Sequence, residues 1–151
     1  MSNQKYYYEY NLVCKKKGTT LRLNDDKVMR DFAYKTMMQE GCQLNTREYF
    51  YAFYLDAHCN LKGYQLISVG GVNMTLVDPK IVFSAALMCL ASSVVFVHNH
   101  PSGNTKSSMD DDALTKRLVA AAKLLDMSVV DHIIISPEND TWYSYRAYSK
   151  L

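Results

Sequence analysis

Asp78-Pro79-Lys80-Ile81-Val82-Phe83-Ser84-Ala85-Ala86-Leu87-Met88-Cys89-Leu90-Ala91-Ser92-Ser93-Val94-Val95-Phe96-Val97-His98-Asn99-His100 is the stretch on which the fold turns. Its middle, Ile81 to Val97, runs 17 residues without a charge, the lower limit for a membrane span. Three features argue against a span. Asp78-Pro79 is a helix N-cap followed by proline at the first helical position, Ser92-Ser93 interrupts the run, and Val94-Val95-Phe96-Val97 turns β-branched and aromatic. The stretch reads as a helix from Pro79 to about Leu90, then a buried strand from Ser93 to Val97 that delivers His98-Asn99-His100.

Upstream, Tyr6 to Val13 and Thr19 to Leu23 flank Lys15-Lys16-Lys17-Gly18 and suggest a hairpin with the lysines at its tip. Three lysines can touch phosphate, although beside a glycine they read better as a solvated turn. Asn24 or Asp25 can cap a helix running to Gly41, with Val28, Met29, Phe32, Ala33 and Thr36 on one face and Met37 and Met38 as core filler. Arg47 to Ala57 is extended and apolar on both faces, as a strand inside a sheet is. His58-Cys59-Asn60 turns the chain into a second strand, Leu61 to Val69. Downstream of the histidines a polar loop reaches Ser107, and a helix from Met109 to Asp126 carries Leu114, Leu118, Ala121 and Leu125 on one stripe. Strands are expected at Val129 to Ser136 and Thr141 to Tyr145. This mixed order specifies an α/β or α+β domain, a mixed sheet with helices packed on it.

A chain of 151 residues fits one domain by the usual prior of roughly 100 to 200 residues. Residues 1–45 are expected to pack as a hairpin and helix on the domain formed by residues 46–151. Apolar residues at 48% and charged residues at 21% are globular values. The net charge of +2 is far from that of a protein held mainly on phosphates, so charge selects no partner. Cys14, Cys42, Cys59 and Cys89 are scattered, without a CxxC pair, and read as incidental thiols rather than metal ligands. The polar start Met1-Ser2-Asn3-Gln4 has no signal-like apolar core, which makes the cytoplasm the expected compartment.

The chemistry gathers between His98 and Asp111. Residues two apart on a strand share a face, so His98 and His100 can present two imidazole nitrogens to one metal. Pro101 and Gly103 turn the chain, and the first turn of the following helix can bring back Asp111. Two histidines and a carboxylate, with a fourth position left for water, form a common catalytic zinc arrangement. Ser108 and Asp111 also fit a helix capping box. Asn99 faces the other way and receives no role. Glu48, at the start of an apolar strand, is the candidate base for the proton of a metal-activated water; a strand-end glutamate turned to solvent is the alternative, and Glu40 a weaker rival.

Glu48, then His98-x-His100, then Ser108 and Asp111 in this order and spacing resemble the JAMM metalloprotease motif of JAB1/MPN domains. His98-Asn99-His100-Pro101-Ser102-Gly103, with Asp78-Pro79-Lys80-x-Val82-Phe83 before it and Ala113-Leu114-Thr115-x-Arg117-Leu118 and Asp131-His132-Ile133-Ile134 after it, is similar to the RadC family over about Glu48 to Tyr145. The resemblance implies a JAB1/MPN-like, cytidine-deaminase-like layered sheet flanked by helices, with Zn2+ held by His98, His100 and Asp111. It implies Glu48 as general base then acid, Ser108 as a donor to the oxyanion, and a peptide, isopeptide or other amide bond in a peptide or protein as substrate.

RadC proteins commonly carry Asp and prolines where this chain has Asn104, Thr105 and Ser107. The helix-hairpin-helix DNA-binding region of full-length members has no counterpart in the first 45 residues, which weakens a nucleic-acid partner. A non-catalytic JAB/MPN module, acting as an interaction or DNA-repair-associated protein, is the alternative function. Neighbours on a strand point to opposite faces, so at most one of Asp131 and His132 can support the site, His132 from behind the ligands. His58 reads as a turn residue. Tyr49, Tyr51 and Tyr54 are expected to wall the base; the aromatic run Tyr6 to Tyr10 would cover a sheet edge or form a partner surface.

Overall fold

The computed structural model describes residues 18–19, 21–71 and 76–151. Its elements run α1 (Asp26–Gln39), β1 (Glu48–Leu55), β2 (Leu61–Gly70), α2 (Pro79–Met88), β3 (Ser93–Asn99), α3 (Met109–Leu124), β4 (Ser128–Ile135) and β5 (Trp142–Ser144). The strands form one sheet in the order β2-β1-β3-β4-β5, parallel only between β3 and β4. The uncharged run is thus a helix and a strand, as its caps and composition indicate. Among the described residues no helix is long and apolar enough to cross a membrane.

Helices cover both faces of the sheet. On one, Met29, Ala33 and Met37 of α1 pack with Tyr51, Phe53, Val95, Val97 and Ile133. On the other, Val82, Phe83 and Ala86 of α2 and Leu118 and Ala122 of α3 pack with Phe50, Ala52, Val94 and Phe96. β3 lies at the centre and all seven of its residues are buried. That explains its unbroken apolar character.

The helix starts follow local chemistry. Asp25, rather than Asn24, caps α1 by accepting from the amides of Lys27 and Val28 at 3.0 and 3.2 Å. Asp78 caps α2, with Pro79 at the first position. Two expected faces need correction. Val28 and Met38 are 39% and 50% exposed, because the buried line of α1 runs through Met29, Ala33, Thr36 and Met37. The buried line of α3 is Asp111, Thr115, Leu118 and Ala122, whereas Leu125 is 37% exposed. Two polar residues occupy the start of that line, so apolar spacing alone misplaces it by about one residue.

The hairpin expected over Tyr6 to Leu23, its lysine tip and the Tyr6 to Tyr10 run fall largely outside the described residues. Within them, Leu23 donates to the Cys59 carbonyl at 2.8 Å and Leu61 to that of Leu21 at 2.7 Å, so this segment pairs with the start of β2. His58 lies in the β1–β2 turn, its amide donating to Asp56.

The opposite-face rule also finds work for Asn99. Fully buried, it accepts from the Tyr49 amide at 2.8 Å and donates to the carbonyls of Leu44 and Arg47, both at 2.9 Å. The end of β3 thereby clamps the segment that enters β1 at Glu48. Asn99→Leu, close in size, strands these three backbone groups and should cost about 3 kcal/mol in urea unfolding; a change within about 0.5 kcal/mol would show that the clamp carries no stability.

Candidate metal centre

His98 is the last but one residue of the buried strand β3, and His100 follows where the strand gives way to a turn. Gly103, at φ +78°, takes a left-handed conformation that lets the loop double back. The Asn104 carbonyl then meets Nδ1 of His100 at 2.6 Å. A carbonyl only accepts, so the hydrogen of the neutral ring sits on Nδ1 and Nε2 faces inward bare.

The crossover through α3 completes the cluster. Ser108 caps the helix: its hydroxyl accepts from the Asp111 amide at 3.1 Å, while Asp111 Oδ2 accepts from the Ser108 amide and hydroxyl at 2.8 and 2.7 Å. This holds Asp111 Oδ1 at 3.2 Å from His98 Nε2 and Oδ2 at 3.4 Å from His100 Nε2; the two imidazole nitrogens are 3.1 Å apart. One ligand atom from each residue lies within 4.8 Å of the others, so the three could hold one metal ion. Two nitrogens and a carboxylate suit zinc or another first-row divalent ion, and a cation would relieve the crowding of electron-rich atoms.

Electrostatics match this geometry. Burial pushes the Asp111 carboxyl up, but His100 and His98, when protonated on Nε2, and Ser108 outweigh it and hold the group far below the ordinary carboxylate range. Burial lowers the His100 imidazole, but Asp111, the Asn104 carbonyl and the charge of Glu48 raise it above its ordinary value. Phe50 stacks on His98 with ring centres 5.8 Å apart and planes 14° from parallel.

Glu48 is half-buried at the first position of β1. Phe50 pairs with His98 across antiparallel strands, and Glu48 lies two residues before Phe50 on the same strand, hence on the same face. With Phe50, His100, Ser108, Asp111 and Arg117, Glu48 lines a cleft of about 730 Å³. Glu40 is elsewhere: it accepts from the Tyr51 phenol on the α1 face of the sheet. The expected tyrosine wall is also corrected. Strand alternation sends Tyr49 and Tyr51 to that far face, while Tyr54 donates to the Val82 carbonyl at 3.0 Å; Phe50 is the aromatic residue at the site.

Behind His98 lies a buried line of contacts. His98 Nδ1 is 2.8 Å from His132 Nε2, His132 Nδ1 is 2.7 Å from Thr115 Oγ1, and Thr115 Oγ1 is 2.6 Å from the Asp111 carbonyl oxygen. Tyr145 stacks on His132 at 4.9 Å and donates to Asp112 at 2.7 Å. Asp131 points away and accepts from Ser144 and from the amides of His132 and Arg146, which fastens the C-terminal turn. Only His132 of this adjacent pair reaches the site. Thr115 was visible in the sequence as the residue four after Asp111, one helical turn along the same face.

A mixed sheet layered with helices and a His-x-His and Asp donor set at its end define a JAB-type domain. A family model, RadC-like JAB domain, matches residues 28–150, and the chain belongs to that family. The match reaches upstream of Glu48 into α1. Relatives named UPF0758 protein include one from Alkaliphilus metalliredigens, 34% identical over 91% of this chain and 58% of its own. Another, from Methanococcoides burtonii, is 44% identical over 59% of this chain and 39% of its own. A third, from Streptococcus gordonii, is 32% identical over 76% and 50%. The chain thus spans about two fifths to three fifths of the length of these relatives.

The buried imidazole of His132 makes folding pH-dependent. Burial, with His98 acting in the same direction, lowers it well below its ordinary value. Below about pH 6.5 the unfolded chain takes up a proton that the folded core refuses, so stability falls as pH drops through that value. The raised His100 opposes this, favouring the folded state at low pH and losing that contribution as pH rises through its folded value. Because glutamine does not titrate, metal-free His132→Gln should lose less stability than wild type between about pH 7.5 and about pH 5, by up to about 2 kcal/mol. Parallel stability curves from urea titrations would contradict this.

Proposed function

We propose that the chain is a zinc-dependent hydrolase of the JAMM type that cleaves a peptide, isopeptide or other amide bond. The observation that carries the reading is the convergence of His98, His100 and Asp111 beside a cleft whose rim holds Glu48. His98, His100 and Asp111 would hold the ion. When bound, it would polarise the scissile carbonyl and lower the pKa of an attacking water.

The protein groups divide the remaining work. Glu48 accepts a proton as the water oxygen bonds to the carbonyl carbon, and returns it to the leaving nitrogen as the carbon–nitrogen bond breaks. Ser108 donates its hydroxyl to the carbonyl oxygen as charge develops there. That donation requires a rotation, since the hydroxyl hydrogen here goes to Asp111. Phe50 and Leu114 give the cleft apolar wall beside the reacting atoms. A peptide or protein is the proposed substrate, because an extended chain can lie in an open cleft of this size.

Two variants separate the roles. Glu48→Gln should keep stoichiometric zinc by elemental analysis while cleavage of a mixed peptide library, read by mass spectrometry, falls at least about a hundredfold. Asp111→Ala should lose the zinc itself. Zinc-free wild type that gains no activity on adding zinc would overturn the hydrolase reading, and loss of zinc from Glu48→Gln would show that Glu48 is a ligand rather than the base.

A further inference from the structure

The line of contacts behind His98 has a direction. The Asp111 carbonyl oxygen only accepts, and at 2.6 Å from Thr115 Oγ1 the two oxygens need a hydrogen between them, which only the threonine supplies. With its hydrogen so committed, the Thr115 oxygen can meet His132 Nδ1 only as an acceptor, so Nδ1 carries the hydrogen of that ring. The ring is fully buried and its ring nitrogens meet only His98 and Thr115, with no carboxylate to balance a charge, so it is neutral with one N–H, which leaves Nε2 bare. His98 Nδ1, 2.8 Å away, must then donate, so that with a single hydrogen on the ring it is Nε2 that turns bare toward His100 and Asp111.

We propose that His132 and Thr115 are positioning residues, a buried relay that fixes His98 in the tautomer able to ligate before an ion arrives. The proposal rests on the metal-centre reading and extends it inward. His100 receives the same preparation from the Asn104 carbonyl. The two ligands differ in what prepares them: a loop carbonyl for the outer one, and two side chains anchored in β4 and α3 for the inner one. The relay also closes a circuit, because it ends on the backbone of Asp111, whose side chain is the third donor. Stacking of Phe50 on His98 and of Tyr145 on His132 leaves both rings little freedom to turn. Partners that orient ligating histidines in this way are generally worth about 10- to 100-fold in metal affinity.

The test reads tautomers directly. In metal-free full chain labelled with 15N-histidine, at about pH 8 where ordinary imidazoles are neutral, long-range proton–nitrogen correlation should show His98 and His132 both protonated on Nδ1. An Nε2–H tautomer of His98 in wild type would overturn the proposal. Zinc affinity, measured by competition with a chromophoric chelator, should weaken about 10- to 100-fold in His132→Leu. His132→Gln, whose amide oxygen can accept from His98, should recover most of the loss, which a merely space-filling role would not predict. Should the leucine variant fail to fold, Thr115→Val, nearly the same shape, should weaken zinc binding and shift the His132 tautomer. Unchanged zinc affinity in a folded variant lacking the relay would likewise overturn the proposal. Absent hydrolysis with the expected tautomers and affinities would sink only the enzymatic reading, and a wrong tautomer would sink only the relay.

Discussion

Two imidazole nitrogens 3.1 Å apart, with a carboxylate 3.2 and 3.4 Å from them, are an unfavourable grouping that a chain must be built to hold. Left to themselves such groups turn toward water or toward other partners. Each is restrained here on its outward side: His100 by a loop carbonyl, Asp111 by Ser108 in the cap, and His98 by His132. The caps, the turn at Gly103 and the polar line at the start of α3 make sense as supports for this one cluster. They replace part of the apolar contact that α3 would otherwise make with the sheet.

Features encoded by neighbouring residues were legible in the sequence. Asp78-Pro79 marks a helix start, Ser92-Ser93 and the β-branched residues after it mark a strand, and alternation puts His98 and His100 on one face. Ser108 and Asp111 could be read as a capping box without any knowledge of the site, and the structure uses the same atoms for the cap and for holding a donor toward the histidines. The membership of the RadC-like JAB family agrees with these local signs.

Contacts made across the sheet were not legible in the same way. Apolar spacing assumes that a helix hides hydrophobic residues, which fails where Asp111 and Thr115 face inward. Tyr49 and Tyr51 were misplaced by face, which counting from Glu48 by twos corrects in favour of Phe50; Tyr54 shares that face but is buried under α2. Asn99 gave no signal, since an asparagine after a strand resembles any turn residue until its three partners, 50 or more positions away in the chain, are known.

Asn99 stands between the two histidines, and this position has a mechanical consequence. The same peptide units that aim His98 and His100 toward one side of the sheet aim the Asn99 amide toward the other, where it grips the backbone leading into Glu48. The ligands and the carboxylate across from them are thus referred to a common origin. A shift of β3 relative to α1 carries His98, His100 and the entry to Glu48 along together, while Asp111, on α3, is tied to them through Thr115 and His132. One asparagine thus sets how far the two histidines and the start of β1 can part from each other.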